Sequence, residues 1–385
     1  MGDFEFNRME LSGSLADLGT MLPLLIPLIV INGLNATIAL LLVGLFYVGV
    51  GLYYRIPVSV QPFKAVAVIA IAGGLSAQII AASGLITGIL MLFLGTTGLI
   101  IHVARFFSKP VVRGLQVALG LILFVKAVRY IIGPELFIGG EVIYQMGLPL
   151  NTIIGLAGLL IAALLITNRK IPAAMALVAI GFLVGLSIKT PSFTLGPQIL
   201  PLQIPSVTDF QAALVILVLP QFPLTISNSV ISASDLAKKY FGVKARNAST
   251  RALATSVGVA NIAVGALGGM PMCHGAGGLT AHYCFGARTG GSSLIIGSVF
   301  VVIALVFGSS AVSILGLIPF SILGVLLAFT GIQMMLLVSD VKLPIDFLVV
   351  FTIVGLSIIV NMTTAFIAGI LLYYLLKRWS SWSRR

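Results

Sequence analysis

Runs of about twenty apolar residues recur from Leu11 to Leu376, and no other feature restricts the fold of this 385-residue chain as tightly. Each run can cross a hydrocarbon layer roughly 30 Å thick at about 1.5 Å rise per residue. Inside such a layer the backbone N–H and C=O groups must be bonded within the protein, so helices are the expected spanning form. Apolar residues make up 59% of the sequence and charged residues 8%, a balance no soluble core could absorb, and the whole chain reads as an all-α polytopic membrane protein. Met1–Glu10 is polar and carries Asp3, Glu5 and Glu10, unlike a cleaved signal, so the first span is expected to be retained.

The formal charge of +12 excludes little by itself, because its cations lie in the connections between apolar runs and not on a soluble surface, which argues against a nucleic-acid partner. Cys273 and Cys284 read as two reduced thiols. There is no phosphate-binding glycine loop and no clustered His/Cys/Asp/Glu set, so neither a cofactor nor a metal is expected, and an ATP-driven pump is disfavoured. No nucleophile, base and orienting group occur together, so no enzyme activity is expected.

Glycine, proline and charge divide the apolar runs into about fourteen spans: 11–31, 36–54, 60–76, 83–103, 111–132, 151–167, 172–188, 210–232, 252–269, 274–285, 292–308, 319–338, 344–360 and 362–378. An even count puts both termini on one side. With that side cytoplasmic, every Lys and Arg except Lys126, Arg129, Lys189 and the intramembrane Lys64 falls inside, as the positive-inside rule requires. The expected location is a cell (inner) membrane, multi-pass.

Seven spans precede residue 200 or so and seven follow, and an odd number per half inverts the second copy. The third and tenth spans break the pattern of a lipid-facing helix at corresponding places. Pro57 and Pro62 interrupt one; Pro271 and then Gly275, Gly277 and Gly278 interrupt the other. Each is expected to be a short extended strand leading into a half-helix. A half-helix starting near the midplane points free N–H groups and its positive dipole end into a cavity, where an anion would bind.

The segments Glu10–Thr20 (ELSGSLADLGT), Pro57–Ala65 (PVSVQPFKA), Pro271–Gly278 (PMCHGAGG) and Phe285–Thr289 (FGART) resemble the molybdate transporter family within the sulfate-permease superfamily, and the likeness covers essentially the whole chain. The resemblance implies a 7+7 inverted repeat with two domains. The core comprises residues 1–105 (segments 1–4) and 201–310 (segments 8–11). The gate comprises residues 106–200 (segments 5–7) and 311–385 (segments 12–14 and a short cytoplasmic tail). It further implies alternating access by relative movement of the two domains and, in many members, a homodimer.

Lys64 sits one turn inside the third span, where a charge costs about 2.5–3.5 kcal/mol on insertion scales and faces a cavity or a partner. It either neutralises a bound dianion or pairs with Asp17. Gln61 offers an amide donor and Ser59 a hydroxyl, beside the backbone at Val60. Asp17 would repel an anion, so proton coupling or pairing with Lys64 suits it better. His274 can donate to the anion, couple a proton or be structural, and its neighbours Gly275, Ala276, Gly277 and Gly278 offer backbone amides. In the eighth span Gln221, Thr225 and Asn228 follow i, i+4, i+7 spacing and are expected to share a cavity-facing stripe, with Thr20 of the first span as counterpart.

The leading expectation is a secondary-active transporter of a tetrahedral oxyanion, molybdate first and sulfate second, held between half-helices 3 and 10 in a lipid bilayer. The rivals are a carrier of bicarbonate or a nucleobase on the same fold, and a passive anion channel. The preference for molybdate comes from the family resemblance alone, since tenfold discrimination needs only about 1.4 kcal/mol.

Overall fold

The computed structural model describes residues 4–137, 142–145, 147–165, 173–191, 193–198 and 204–382. Arg169, Lys170, Arg384 and Arg385, all inside cations in the orientation given above, lie outside the described residues. The first half contains helices Arg8–Leu15 (α1), Leu18–Val30 (α2), Ala36–Tyr54 (α3), Lys64–Gly73 (α4), Ala77–Thr97 (α5), Ile100–Val103 (α6), Lys109–Ile132 (α7), Leu150–Leu165 (α8) and Ala173–Ile188 (α9). It also holds strands Gln61–Pro62 (β1), Tyr144–Gln145 (β2) and Leu148–Pro149 (β3), of which β2 and β3 pair as a small hairpin. The second half contains Val207–Ala212 (α10), Leu219–Leu224 (α11), Ala233–Phe241 (α12), Thr250–Leu267 (α13), strand Met272–Cys273 (β4), Ala276–Cys284 (α14), Gly291–Phe307 (α15), Ala311–Leu315 (α16), Phe320–Leu336 (α17), Pro344–Ile359 (α18) and Met362–Trp382 (α19).

A helix stands at each of the fourteen expected segments. Among the described residues six helical runs are long and apolar enough to cross a membrane, and a seventh results if α1 and α2, bent by 50°, count as one. Local chemistry sets many boundaries. Asn7, Asn35, Ser76 and Ser249 cap α1, α3, α5 and α13 by accepting first-turn N–H bonds. Glycines in the left-handed region end α4, α5 and α13 at Gly74, Gly98 and Gly268.

The most extensive helix pairings fall into two sets, with lesser contacts such as α4 on α7 and α2 on α9 and α17 joining them. In one, α3 packs on α15 and α5 on α13; in the other, α7 packs on α17 and α18, α17 on α8, and α18 on α19. Exchanging each element for the one seven spans away maps α3–α15 onto α13–α5, α7–α18 onto α17–α8, and α18–α19 onto α8–α9, all of which are packed pairs. That correspondence is consistent with a duplication of seven spans. Small residues allow the close approaches: a Cβ at Gly44 would lie 2.7 Å from the Gly297 carbonyl, and one at Gly331 would lie 2.6 Å from the Gly120 carbonyl.

Candidate functional site

The third and tenth segments both run from a buried two-residue strand into a half-helix. β1 and β4 pair antiparallel, Gln61 opposite Cys273 and Pro62 opposite Met272, and the Phe63 N–H donates to the Pro271 carbonyl at 2.9 Å. Asn261 of α13 completes β4 by accepting from the Met272 N–H (2.9 Å) and donating to the Met272 carbonyl (2.6 Å). The strand pair satisfies backbone groups that proline and glycine withhold from a continuous helix, and it sets the starts of α4 and α14 side by side.

The two helix starts differ chemically. At α4, the Gln221 side-chain oxygen accepts from the N–H groups of Ala65 (2.8 Å) and Val66 (3.4 Å), while its amide donates to Thr225 Oγ1 (2.9 Å). A neutral acceptor thus already serves the first turn of α4. At α14 no side chain caps the helix. The Gly275 N–H donates to Ser59 Oγ (3.0 Å) and Ser59 Oγ donates to the Gly275 carbonyl (2.7 Å). The amides of Ala276, Gly277 and Gly278 follow in the first turn, where a helix has no acceptors of its own.

A Cβ added at Gly277 would meet nothing within 4 Å, so the helix start faces open space. That space is a cavity of about 620 Å³. Ser227, Asn228, Ala276, Gly277 and Thr280 line it from α14 and the segment before α12; Lys109, Arg113 and Leu337 line it from α7 and the turn after α17. Arg113 grips Asp340 with two parallel bonds, Nε to Oδ1 at 2.9 Å and Nη2 to Oδ2 at 2.7 Å, and Lys109 Nζ lies 3.0 Å from the same carboxylate. Asp235 is the acidic residue of the cavity lining.

Behind the open face lies a buried polar cluster. Asp17 accepts from Tyr47 Oη at 2.9 Å and from Gln61 Nε2 at 2.5 Å. His282 Nε2 is 3.9 Å from Asp17 Oδ2, and both side chains are almost fully buried. His282 Nδ1 lies 2.7 Å from the Gly13 carbonyl, an acceptor only, so that nitrogen carries the hydrogen. Nε2 has no hydrogen-bond partner among the described residues, the Asp17 carboxylate at 3.9 Å lying beyond hydrogen-bond reach.

Asp17 bonds Tyr47 and Gln61, and Lys64 makes no ion pair within 4.0 Å among the described residues. Lys64 begins α4 half-buried. His274 is occupied inside the protein. Its Nδ1 donates to the Ser59 carbonyl (3.0 Å), its Nε2 meets Ser256 Oγ (2.7 Å), and its ring stacks on Phe46 with centroids 5.2 Å apart. The Val60 carbonyl accepts from Tyr47 Oη at 3.0 Å. Thr20 lies half-buried on α2, its N–H bonded to the Asp17 carbonyl at 3.0 Å.

The stripe expected in span 8 is divided. Residues 213–218 and 225–232 are wound as π-helix around Pro220 and Pro223, so 3.6-residue spacing does not carry through. Gln221 and Thr225 are buried toward α4, whereas Asn228 lines the cavity. Sequence reasoning passed over His282, Thr280 and Arg113. A second histidine within the same short apolar segment is the sequence signal for the first, whereas Arg113 reads from sequence as a loop cation.

A family model described as "Molybdate transporter of MFS superfamily" matches residues 9–123 and 213–334. Molybdate transporter 2 of Arabidopsis thaliana is 32% identical over 416 residues, covering 96% of this chain and 87% of that protein. Molybdate transporter 1 of Chlamydomonas reinhardtii is 30% identical, covering 94% and 90%. Among solved structures, the transmembrane domain of the cyanobacterial bicarbonate transporter BicA superposes with a TM-score of 0.69 at 17% identity, over 94% of this chain and 97% of that one. Murine Slc26a9, an anion transporter in the inward-facing state, gives 0.71 at 17%, over 98% and 70%. At such identities the structural likenesses carry the fold alone.

Proposed function

The chain belongs to the molybdate transporter family, and on that premise we propose that it is a secondary-active carrier of a tetrahedral oxyanion, molybdate first and sulfate second. The observation that carries this reading is the 620 Å³ cavity into which the uncapped start of α14 opens. A dianion there accepts hydrogen bonds from the amides of Ala276, Gly277 and Gly278 and from the Asn228 side chain. The dipole end of a partly buried helix adds up to about 2 kcal/mol for an anion. No covalent chemistry is needed. Lys64, half-buried and without an ion pair among the described residues, supplies long-range positive charge from the neighbouring helix start.

The group containing α3, α5, α13 and α15 acts as the core, and the group containing α7, α8, α17 and α18 as the gate. The cavity has walls from both, so movement of one group against the other alternately exposes the site. Both termini are assigned to the cytoplasm, from the distribution of Lys and Arg. We assign proton coupling to Asp17 with His282 as its partner; His274, bonded at both nitrogens, instead holds the Ser59 backbone in place.

Uptake of radiolabelled molybdate into proteoliposomes, with and without excess sulfate, tests the assignment. Saturable uptake of molybdate that sulfate reduces is the expected result. No saturable uptake of either anion would overturn it.

A further inference from the structure

A second cavity, of about 820 Å³, shares no lining residue with the one at Gly277. It runs between α3, α5 and α13, along Phe46, Gly49 and Tyr53 on one side and Ala252 and Val259 on the other. From Phe46 to Tyr53 it follows α3 for about 10 Å at 1.5 Å per residue. Its upper end lies where α3 and α5 finish and α13 begins, the level at which spanning helices meet headgroups.

Among the described residues, every charged residue that lines the cavity or its neighbouring pocket at that end is basic. Arg251 is fixed there by bonds from Nη2 to the Thr96 carbonyl (2.6 Å) and from Nε to the Gly95 carbonyl (3.3 Å). Tyr54 is shared with a smaller pocket of about 210 Å³ whose lining includes Arg55, Lys244 and Arg246. Neither lining contains an acidic residue. Lys244 and Arg246 are exposed. An apolar channel at hydrocarbon depth that ends in a basic pocket at headgroup depth matches the two parts of one molecule.

We propose that this groove and pocket bind an anionic phospholipid, an acyl chain lying along α3 and α13 and the phosphate among Arg55, Lys244, Arg246 and Arg251. The proposal does not depend on the transported substrate. The lipid would also touch Phe46 and Tyr54, which pack against the His274 ring at centroid distances of 5.2 Å and 5.8 Å, so it would bear on the residue that holds the start of α14.

Native mass spectrometry of the purified full-length protein tests this, titrating phosphatidylglycerol, phosphatidylcholine of the same acyl chains, and inorganic phosphate in separate arms. Phosphatidylglycerol is expected to be retained several-fold more strongly than phosphatidylcholine, and inorganic phosphate not to compete. Lys244→Gln with Arg246→Gln should reduce phosphatidylglycerol retention by about fivefold per cation removed and leave phosphatidylcholine unchanged. A Cβ at Gly49 meets nothing within 4 Å, so Gly49→Trp should enter the groove and exclude both lipids, with a wild-type melting temperature in detergent as the control that the fold is kept. Equal retention of the two lipids, an unchanged preference in the double variant, full lipid binding by Gly49→Trp, or displacement by inorganic phosphate would each overturn the proposal.

Discussion

Two neighbouring glycines on α14 should respond to one methyl group in opposite ways. At Gly278 an added Cβ would lie 2.6 Å from Asp17 Oδ1, from Gln61 Nε2 and from Ser59 Cβ, all in the buried cluster. Ordinary contact begins at about 3.4 Å. The cluster must therefore open by most of an ångström, and overpacking of this kind costs about 1–3 kcal/mol. At Gly277 the methyl meets nothing within 4 Å, and replacing glycine in a helix gains about 0.5–1 kcal/mol. It nevertheless projects into the cavity where the anion must approach the amides. Loss of one hydrogen bond to a charged ligand costs about 1.5–3 kcal/mol, or roughly 10- to 150-fold in affinity. Gly277→Ala should thus melt at or slightly above the wild-type temperature while binding molybdate at least tenfold more weakly. Gly278→Ala should melt several degrees lower. Thermal unfolding in detergent and equilibrium binding of labelled molybdate measure the two quantities separately. Wild-type affinity in Gly277→Ala would refute the placement of the anion, and wild-type stability in Gly278→Ala would refute the packing argument.

Gln221→Glu should keep the cap on α4, because a carboxylate accepts from Ala65 and Val66 at least as well as an amide does; its new charge should lower molybdate affinity, and unaltered affinity would remove this helix start from the site. Asp17→Asn and His282→Gln should each abolish stimulation of uptake by an imposed pH gradient, while His274→Gln should retain it; a gradient response preserved in both of the first two would dismiss them as the coupling pair. Arg113→Gln should raise the KM for molybdate at low ionic strength and have less effect as salt is added, since mobile ions screen a cavity-wall charge; a salt-independent change would point to structural damage.

The segmentation was legible because it rests on local properties. Apolar length, Pro57, Pro62 and Pro271, and the glycine cluster at 275–278 act within a few residues, and the helices and the strand breaks fall where those residues put them. What could not be read is which side chains meet across long sequence separations. Gln221 reaches amides 155 and 156 positions away, and no spacing rule announces that it caps α4. His274 and His282 carry the same chemistry on one short segment, but His274 lies in the extended lead-in, bonded to Ser59 and Ser256, whereas His282 lies on α14 facing Asp17. Gly278 and His282, four residues apart, share the face of α14 that packs on Asp17, whereas Gly277 and Thr280, three apart, share the face that lines the cavity. Knowing that Gly278 abuts Asp17 is therefore enough to select His282. The proton and anion sites proposed above would lie on opposite faces of α14, Gly278 and His282 on one and Gly277 and Thr280 on the other. Charge gained on its buried face changes the potential at its open face, less than one helix diameter away.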